Sequence, residues 1–222
     1  MIEYMQNTSG FQFSWGYRIK AIYRIVSSEE YLNDFFKNGN IFISCFKNFK
    51  NYKDEMQGDL TEGNSLIGGF REEGDGNFVF YEGGVNAFVL CATNILNENV
   101  IKDFNGIGAI KINNPTLFAM EISRKLPFVS SGIEGDCIYD DSKAHILEKE
   151  TNNNFQNIDF QNPIDIRNRI LAISRGIEVF MKYKKYEHQQ EHRLLWFSER
   201  PIQKGLIVHC PEAIEYCEKI LF

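Results

Sequence analysis

The sequence predicts a single α+β domain in which strands outnumber helices and pair mainly in antiparallel fashion. The chain has 222 residues, which is near the size of one domain. Hydrophobic residues make up 43% and charged residues 24%, so a packed core is expected. Alternating segments are frequent and show no regular strand–helix–strand order, which favours antiparallel pairing. We therefore expect one domain over residues 1–222, with residues 1–15 loosely held.

Composition excludes several functional classes. The formal net charge of −6 argues against a broad surface for nucleic acid or anionic membranes. No segment approaches the roughly 20 apolar residues of a membrane helix, and no basic and apolar leader opens the chain. The five cysteines are widely spaced without a Cys-x-x-Cys pair, which is typical of reduced thiols. These features predict a cytoplasmic protein.

The first elements follow from hydrophobic period and capping residues. Residues 18–25 alternate as a strand does, and one face of this strand is basic and carries Arg24. Ser27 and Glu30 then form a capping-box pattern, and Gly39 ends the predicted helix.

A second strand is predicted over Ile41 to Phe46. It places Ser44 and Phe46 on the same face. Residues 47–76 are polar and predict a long loop, which in a compact domain is usually functional or disordered. Within it, the segment Asp59-Leu60-Thr61-Glu62-Gly63 either lines a cleft or has a structural role.

The remaining elements are predicted from the same signals. Strands are expected near 77–81, 86–93, 107–112, 135–139, 194–197 and 206–209. Helices are expected after Asn114-Pro115, from 162 to about 183, and from 211 to 220.

Two patterns with chemical meaning overlap ahead of the strand at 194–197. In the first, Gln189 and Glu191 form a Gln-x-Glu motif, whose carboxylate can accept a ribose hydroxyl and stabilise an oxocarbenium charge. In the second, His188, Glu191 and His192 form an inverted zinc motif, which needs a helix. Its third ligand would come from Glu199, Glu212 or Glu215. A third interpretation is that Glu191 and Arg193 simply form solvated ion pairs.

Several segments taken together resemble a divergent branch of the ADP-ribosyltransferase fold. They are Tyr23-Arg24-Ile25, residues 40–46, residues 51–55, Cys91, Phe180-x-Lys182 and Gln190-Glu191-His192-Arg193. The resemblance spans most of the chain, and its most specific parts are residues 40–63 and 190–194. It implies two packed, mostly antiparallel sheets with peripheral helices and a cleft that binds NAD as substrate.

The resemblance also implies a role for each matching residue. Arg24 would hold the NAD pyrophosphate, and Ser44 would support the nicotinamide ribose. Phe46 would stack on nicotinamide. Glu191 would stabilise the transition state as nicotinamide leaves, and Gln189 would orient the acceptor. No metal is expected in this chemistry.

The sequence does not identify the molecule that would accept ADP-ribose. The second strand contains Ile43-Ser44-Cys45 in place of the usual Ser-Thr-Ser pattern. The resemblance implies transfer of ADP-ribose to an unidentified macromolecule, protein or nucleic acid, by a toxin, a phage-related effector or a defence component. The alternatives are an NAD glycohydrolase, a non-catalytic binding module of the same fold, and the zinc hydrolase.

Overall fold

The computed structural model describes residues 3–6, 12–13, 20–51, 61–70, 76–146, 161–162, 165–166 and 177–222. The strands are β1 Glu3–Gln6, β2 Gln12–Phe13, β3 Ile22–Val26, β4 Asn40–Cys45, β5 Asn64–Phe70, β6 Gly76–Glu82, β7 Ala87–Thr93, β8 Gly108–Ile112, β9 Val129–Asp136, β10 Ile138–Asp140, β11 Ala144–Ile146, β12 Met181–Tyr183, β13 Glu191–Ser198, β14 Leu206–His209 and β15 Cys217–Leu221. The α-helices are α1 Glu29–Asn38, α2 Phe46–Asn51, α3 Glu98–Asp103 and α4 Pro115–Lys125. Three 3-10 helices cover Ile177–Val179, Lys184–Gln189 and Pro211–Tyr216.

Ten of these strands belong to one hydrogen-bonded sheet. Its order is β15-β8-β3-β7-β13-β9-β1-β2, with β4 and β14 branching from β7. Two small sheets, β10-β12 and β11-β5-β6, complete the strand pairing of the described residues. Only β10-β12 and β11-β5 are parallel among the described pairs, so the predicted antiparallel α+β class is confirmed. The main strands nevertheless form one branched sheet, whereas two separate sheets were expected.

The branch arises because two strands share one edge of β7. Strand β4 pairs with the beginning of β7, where Ser44 lies opposite Val89. Strand β3 pairs with its end, where Tyr23 lies opposite Thr93. Residues 90–92 of β7, which lie between these two pairings, pair with neither β3 nor β4. The two strands therefore diverge from each other at this point. This fork in the sheet positions the site described below.

The central strand β13 contributes side chains to a hydrophobic core on each face of the sheet. Leu194 and Trp196 lie in the larger hydrophobic core, to which helices α1 and α4 contribute. Leu195 points the other way, into a smaller core with Phe46 and Phe180, because successive strand residues alternate between faces. Trp196 Nε1 donates to the carbonyl of Ala119 at 2.9 Å, which anchors α4 against the strand.

Helix α1 begins and ends on identifiable residues. Ser28, and not the predicted Ser27, is the N-cap, and its hydroxyl accepts from the amide of Tyr31. Gly39 ends the helix as predicted, at a φ of 75°. Side chains are disfavoured at positive φ, and a Cβ here would also lie 2.4 Å from the backbone nitrogen of Pro211. The glycine therefore sets the tight turn from α1 into β4.

Other predicted elements are confirmed or corrected by the described residues. The strands expected near 77–81, 86–93, 107–112 and 206–209 and the helix after Asn114-Pro115 are present. The segment 47–76 contains α2 and β5 and is therefore not one long loop. The helix expected over 211–220 is a 3-10 helix followed by β15, which extends the sheet beside β8.

The helix expected over 162–183 falls largely outside the described residues. Where that segment is described, it contains the 3-10 helix at Ile177–Val179 and strand β12. Residues 1–2 and 14–19, at the predicted loose start and in the predicted first strand, lie outside the described part. None of the described helices has the length and apolar character that a membrane span requires.

Candidate functional site

A cavity of about 490 Å³ occupies the fork between β3 and β4. Its volume lies in the range of roughly 300–1,000 Å³ that small-molecule sites occupy. One end is polar and charged, and it is lined by Arg24, Glu62, Cys91, Lys182, Glu191 and Arg193. The rest of the lining is mostly apolar and aromatic, including Tyr31, Phe35, Phe42, Phe49, Phe104 and Ile207, and it also contains Asp34 and Asn40. This division suits a ligand with an aromatic part and a polar part.

Arg24 is held at the fork by the edge of β7. Its Nη1 donates to the carbonyl of Cys91 at 2.8 Å. That carbonyl belongs to the stretch of β7 between the β3 and β4 pairings, where the backbone needs a partner. A guanidinium carries five N–H donors, so the group that satisfies this carbonyl has further donors for an anionic ligand.

Glu191 is held by two cations. Its Oε1 accepts from Arg193 Nε at 2.6 Å, and its Oε2 pairs with Lys182 Nζ. Glu191 is the first residue of β13 and Arg193 lies two positions later, so both project from the same face of the strand. Lys182 reaches the carboxylate from β12. The carboxylate is therefore fixed in place at the polar end of the cavity.

A second carboxylate completes a buried charge network. Glu62 Oε1 lies 2.7 Å from Arg193 Nη2, and Arg193 Nη1 donates to the carbonyl of Val179. Glu62, Lys182, Glu191 and Arg193 are all at most 7% exposed. Two carboxylates and two cations sum to zero charge, which is how buried charges are usually tolerated.

The network sets the protonation state of Glu191. Burial opposes ionisation, but Arg193 and then Lys182 outweigh it and hold the pKa of the Glu191 carboxyl well below its usual range. Burial likewise disfavours the charge of Lys182, yet Glu191 and Glu62 raise the pKa of its ammonium group. Glu191 is therefore a permanent carboxylate at neutral pH. It is suited to stabilising positive charge and not to donating a proton.

Acid should remove the stability that this ion pair contributes. In the unfolded chain Glu191 takes up a proton near its ordinary pKa of about 4.3, while in the folded protein it stays ionised. A group whose folded pKa is depressed stabilises the protein above its unfolded pKa, and the contribution is lost as the pH falls further. We expect urea-unfolding free energies of the wild type to fall more steeply below pH ~4.3 than those of Glu191→Gln. Equal slopes for the two proteins would contradict this assignment.

Cys91 connects the two halves of the polar end. Its carbonyl accepts from Arg24, and its side chain lies beside Glu191 at the cavity wall. Burial, together with the charge of Glu191, raises the pKa of the Cys91 thiol well above its ordinary value. Cys91 is thus a neutral thiol and not a nucleophile.

A strained turn directs Glu191 into the cavity. The 3-10 helix Lys184–Gln189 ends at Gln190, which adopts a left-handed conformation with φ 41°. The next amide, that of Glu191, donates to the Tyr139 hydroxyl at 2.7 Å. Such backbone strain in a residue other than glycine persists where surrounding contacts impose it, and it is frequent at functional sites.

Gln189 is placed differently from its predicted role. The side chain is 1% exposed, and its Oε1 accepts from Lys182 Nζ at 3.1 Å. It belongs to a 3-10 helix and not to an extended segment, yet its side chain meets the same Lys182 ammonium group as Glu191 does. Gln189 does not line the cavity; it supports the lysine that holds Glu191.

The structure also separates Ser44 and Phe46 from the cavity. Ser44 is buried in β4, and its hydroxyl has no hydrogen-bond partner among the described residues. Phe46 begins α2 and is not the last residue of the strand, because β4 ends at Cys45. The Phe46 ring packs against the backbone of Gly84, where a Cβ would lie 2.5 Å from the ring, and beneath Arg193. The Phe46 ring therefore packs against the guanidinium of Arg193 and supports the charge network.

Phe49 is the aromatic residue that α2 presents to the cavity. It contacts Phe46 edge to face with 6.2 Å between the ring centroids. Sequence patterns missed this residue because residues 47–51 were predicted as the start of a loop and not as part of a helix. Glu62 was named as a possible cleft residue and Lys182 as part of the resemblance, but their ion pairs with Arg193 and Glu191 were not predicted, since these depend on contacts between separate segments.

The inverted zinc motif is not assembled. His188 is exposed, and its Nε2 lies 2.7 Å from Oδ2 of Asp103. His192 lies in β13 and points to the face opposite Glu191, where its Nδ1 pairs with Asp136 at 2.7 Å. The helix that the motif needs is replaced by a 3-10 turn and a strand. Within the described residues, no three His, Cys, Asp or Glu side chains are grouped to hold a metal ion.

Comparison of the chain with protein-family models, with curated proteins and with solved structures finds no match to any of them.

Proposed function

We propose that this chain is a divergent ADP-ribosyltransferase-like protein whose forked sheet binds NAD and cleaves its nicotinamide–ribose bond. One observation carries the proposal: Arg24 and Glu191, which are 167 positions apart in the sequence, line the same cavity. Both residues were predicted for this chemistry from the sequence. The proposed acceptor is a macromolecule, protein or nucleic acid.

The chemistry follows from the character of each side chain. Arg24 binds the pyrophosphate through charge-assisted hydrogen bonds. Phe49, in place of Phe46, offers a ring to the nicotinamide. Glu191 remains ionised, so it stabilises the positive charge that develops on the ribose as neutral nicotinamide leaves. Lys182 and Arg193 keep the carboxylate oriented before the substrate arrives.

Loss of Arg24 should weaken NAD binding with little effect on folding. A hydrogen bond to a charged group is worth about 1.5–3 kcal/mol, which corresponds to a Kd about 10- to 100-fold higher. Calorimetric titration of NAD into Arg24→Gln and wild type measures the difference. Arg124→Gln is the matched control, because Arg124 lies on the surface of α4 and pairs with Glu121. Equal affinities for wild type and Arg24→Gln would contradict the assigned pyrophosphate site.

One observation favours a second candidate, a non-catalytic binding module. Both oxygens of Glu191 are already paired with cations, which reduces the negative potential available to a developing oxocarbenium ion. Such a module would bind NAD and leave its nicotinamide bond intact.

An NAD glycohydrolase, in contrast, would release nicotinamide and free ADP-ribose without labelling a macromolecule.

A further inference from the structure

Two carboxylates of the cavity are fixed to a single guanidinium. Arg193 Nε contacts Glu191 at 2.6 Å, and Arg193 Nη2 contacts Glu62 at 2.7 Å. Glu191 accepts a hydrogen bond from this planar group, whereas Glu62 Oε1 is ion-paired with it and forms no hydrogen bond among the described residues. Both also line the cavity. The polar end therefore presents two carboxylates beside one guanidinium, and one oxygen of Glu62 has no hydrogen-bond partner among the described residues.

The two carboxylates differ in their surroundings. Glu191 is held by two cations, one on each oxygen. Among the described residues, Glu62 forms an ion pair with Arg193 alone. It comes from the short turn before β5, whereas Glu191 comes from β13. Two carboxylates with unequal environments commonly divide the work of cleaving a glycosidic bond.

The turn before β13 does not supply the residue that would act on the incoming nucleophile. Gln189, which the sequence suggested for it, is buried against Lys182 and does not line the cavity. A residue that acts on the nucleophile must lie within hydrogen-bond reach of it in the cavity. Glu62 meets the requirement of lining the cavity, and it carries the basic group.

We propose that Glu62 accepts the proton of the incoming nucleophile, an inference that rests on the proposed function. The bond between ribose C1′ and nicotinamide breaks, and its electron pair leaves with the ring, which becomes neutral. A lone pair of the nucleophile's oxygen, from water or an acceptor hydroxyl, forms the new bond to C1′. The O–H proton passes to Glu62 and then to solvent. Glu191 stabilises the charge on the ribose throughout.

Azide separates this role from a structural one. A general base typically contributes about 10²–10⁴-fold, so Glu62→Gln should release nicotinamide at least about 100-fold more slowly than wild type. Azide is an anionic nucleophile that has no proton to lose. It should therefore restore nicotinamide release by Glu62→Gln and yield ADP-ribosyl azide, but it should not restore Glu191→Gln.

Each outcome of this experiment decides between the two proposals. Wild-type rates in Glu62→Gln, or slow rates that azide leaves unchanged in a folded variant, overturn the role of Glu62 while the proposed function stands. No release by the wild type overturns both. If Glu62→Gln does not fold, Glu62→Asp retains the charge beside Arg193 and withdraws the carboxylate by one methylene. The same azide response is expected of it, and its absence overturns the assignment.

Discussion

Arg193→Met should be among the most destabilising single substitutions in this chain. Removal of one partner from a buried ion pair typically costs about 3–5 kcal/mol, because an uncompensated charge stays in the interior. Arg193 is 1% exposed and contacts Glu62, Glu191 and the carbonyl of Val179. Methionine fills part of the volume but leaves two carboxylates facing one lysine. Urea unfolding of the variant and wild type gives the difference directly.

The charge balance provides two controls for this result. Arg124→Met removes an arginine that is 48% exposed at its side chain, and it should cost less than about 1 kcal/mol. Adding Glu62→Gln to Arg193→Met returns the buried network to zero net charge. The double variant should therefore be more stable than the sum of the single effects predicts. Additive losses would show that the four charges are not coupled.

Glu191→Gln should abolish most nicotinamide release while NAD binding persists. Glutamine has nearly the same shape but no charge, so the transition state loses its electrostatic stabilisation. Removal of one preorganised electrostatic group typically lowers kcat by about 10²–10³-fold. Because the pyrophosphate site at Arg24 is unchanged, the Kd of NAD should change far less than kcat. Rates by chromatography and affinities by calorimetry separate the two quantities.

A surface glutamate is the matched control for that substitution. Glu218 lies in β15, is 59% exposed at its side chain and pairs with Lys111, so Glu218→Gln should retain the wild-type rate. Comparison of thermal unfolding shows whether Glu191→Gln keeps its fold. Unchanged kcat in a folded Glu191→Gln would remove Glu191 from the reaction.

Local patterns predicted much of the secondary structure and the antiparallel α+β class. Alternation located β7, β8 and β14, and Asn114-Pro115 marked the start of α4, because these signals depend on neighbouring residues. Glu191 was selected from a short motif and Arg24 from the family resemblance, and both line one cavity. Elements whose position depends on side-chain type and on neighbouring residues were therefore predicted correctly.

Long-range pairing accounts for the elements that the sequence did not predict. Residues 217–220 were predicted as the end of the helix over 211–220, yet pairing with β8 places them in strand β15, so tertiary context overrides local preference. Phe46 was predicted as the last residue of a strand, but it begins α2 and its ring packs against Arg193. Glu62 and Lys182 join Glu191 from 129 and 9 positions away. No local pattern encodes such a network.

Nicotinamide release from NAD by the purified wild-type protein tests the central claim most directly. The assay would use NAD labelled in its adenine, with and without cell extract, and would follow nicotinamide and label together. The account predicts repeated turnover, with label transferred to a macromolecule when extract is present. Release with the label remaining on free ADP-ribose would support the glycohydrolase instead. Intact NAD beside a folded protein, with extract present, would contradict the account and leave a binding module.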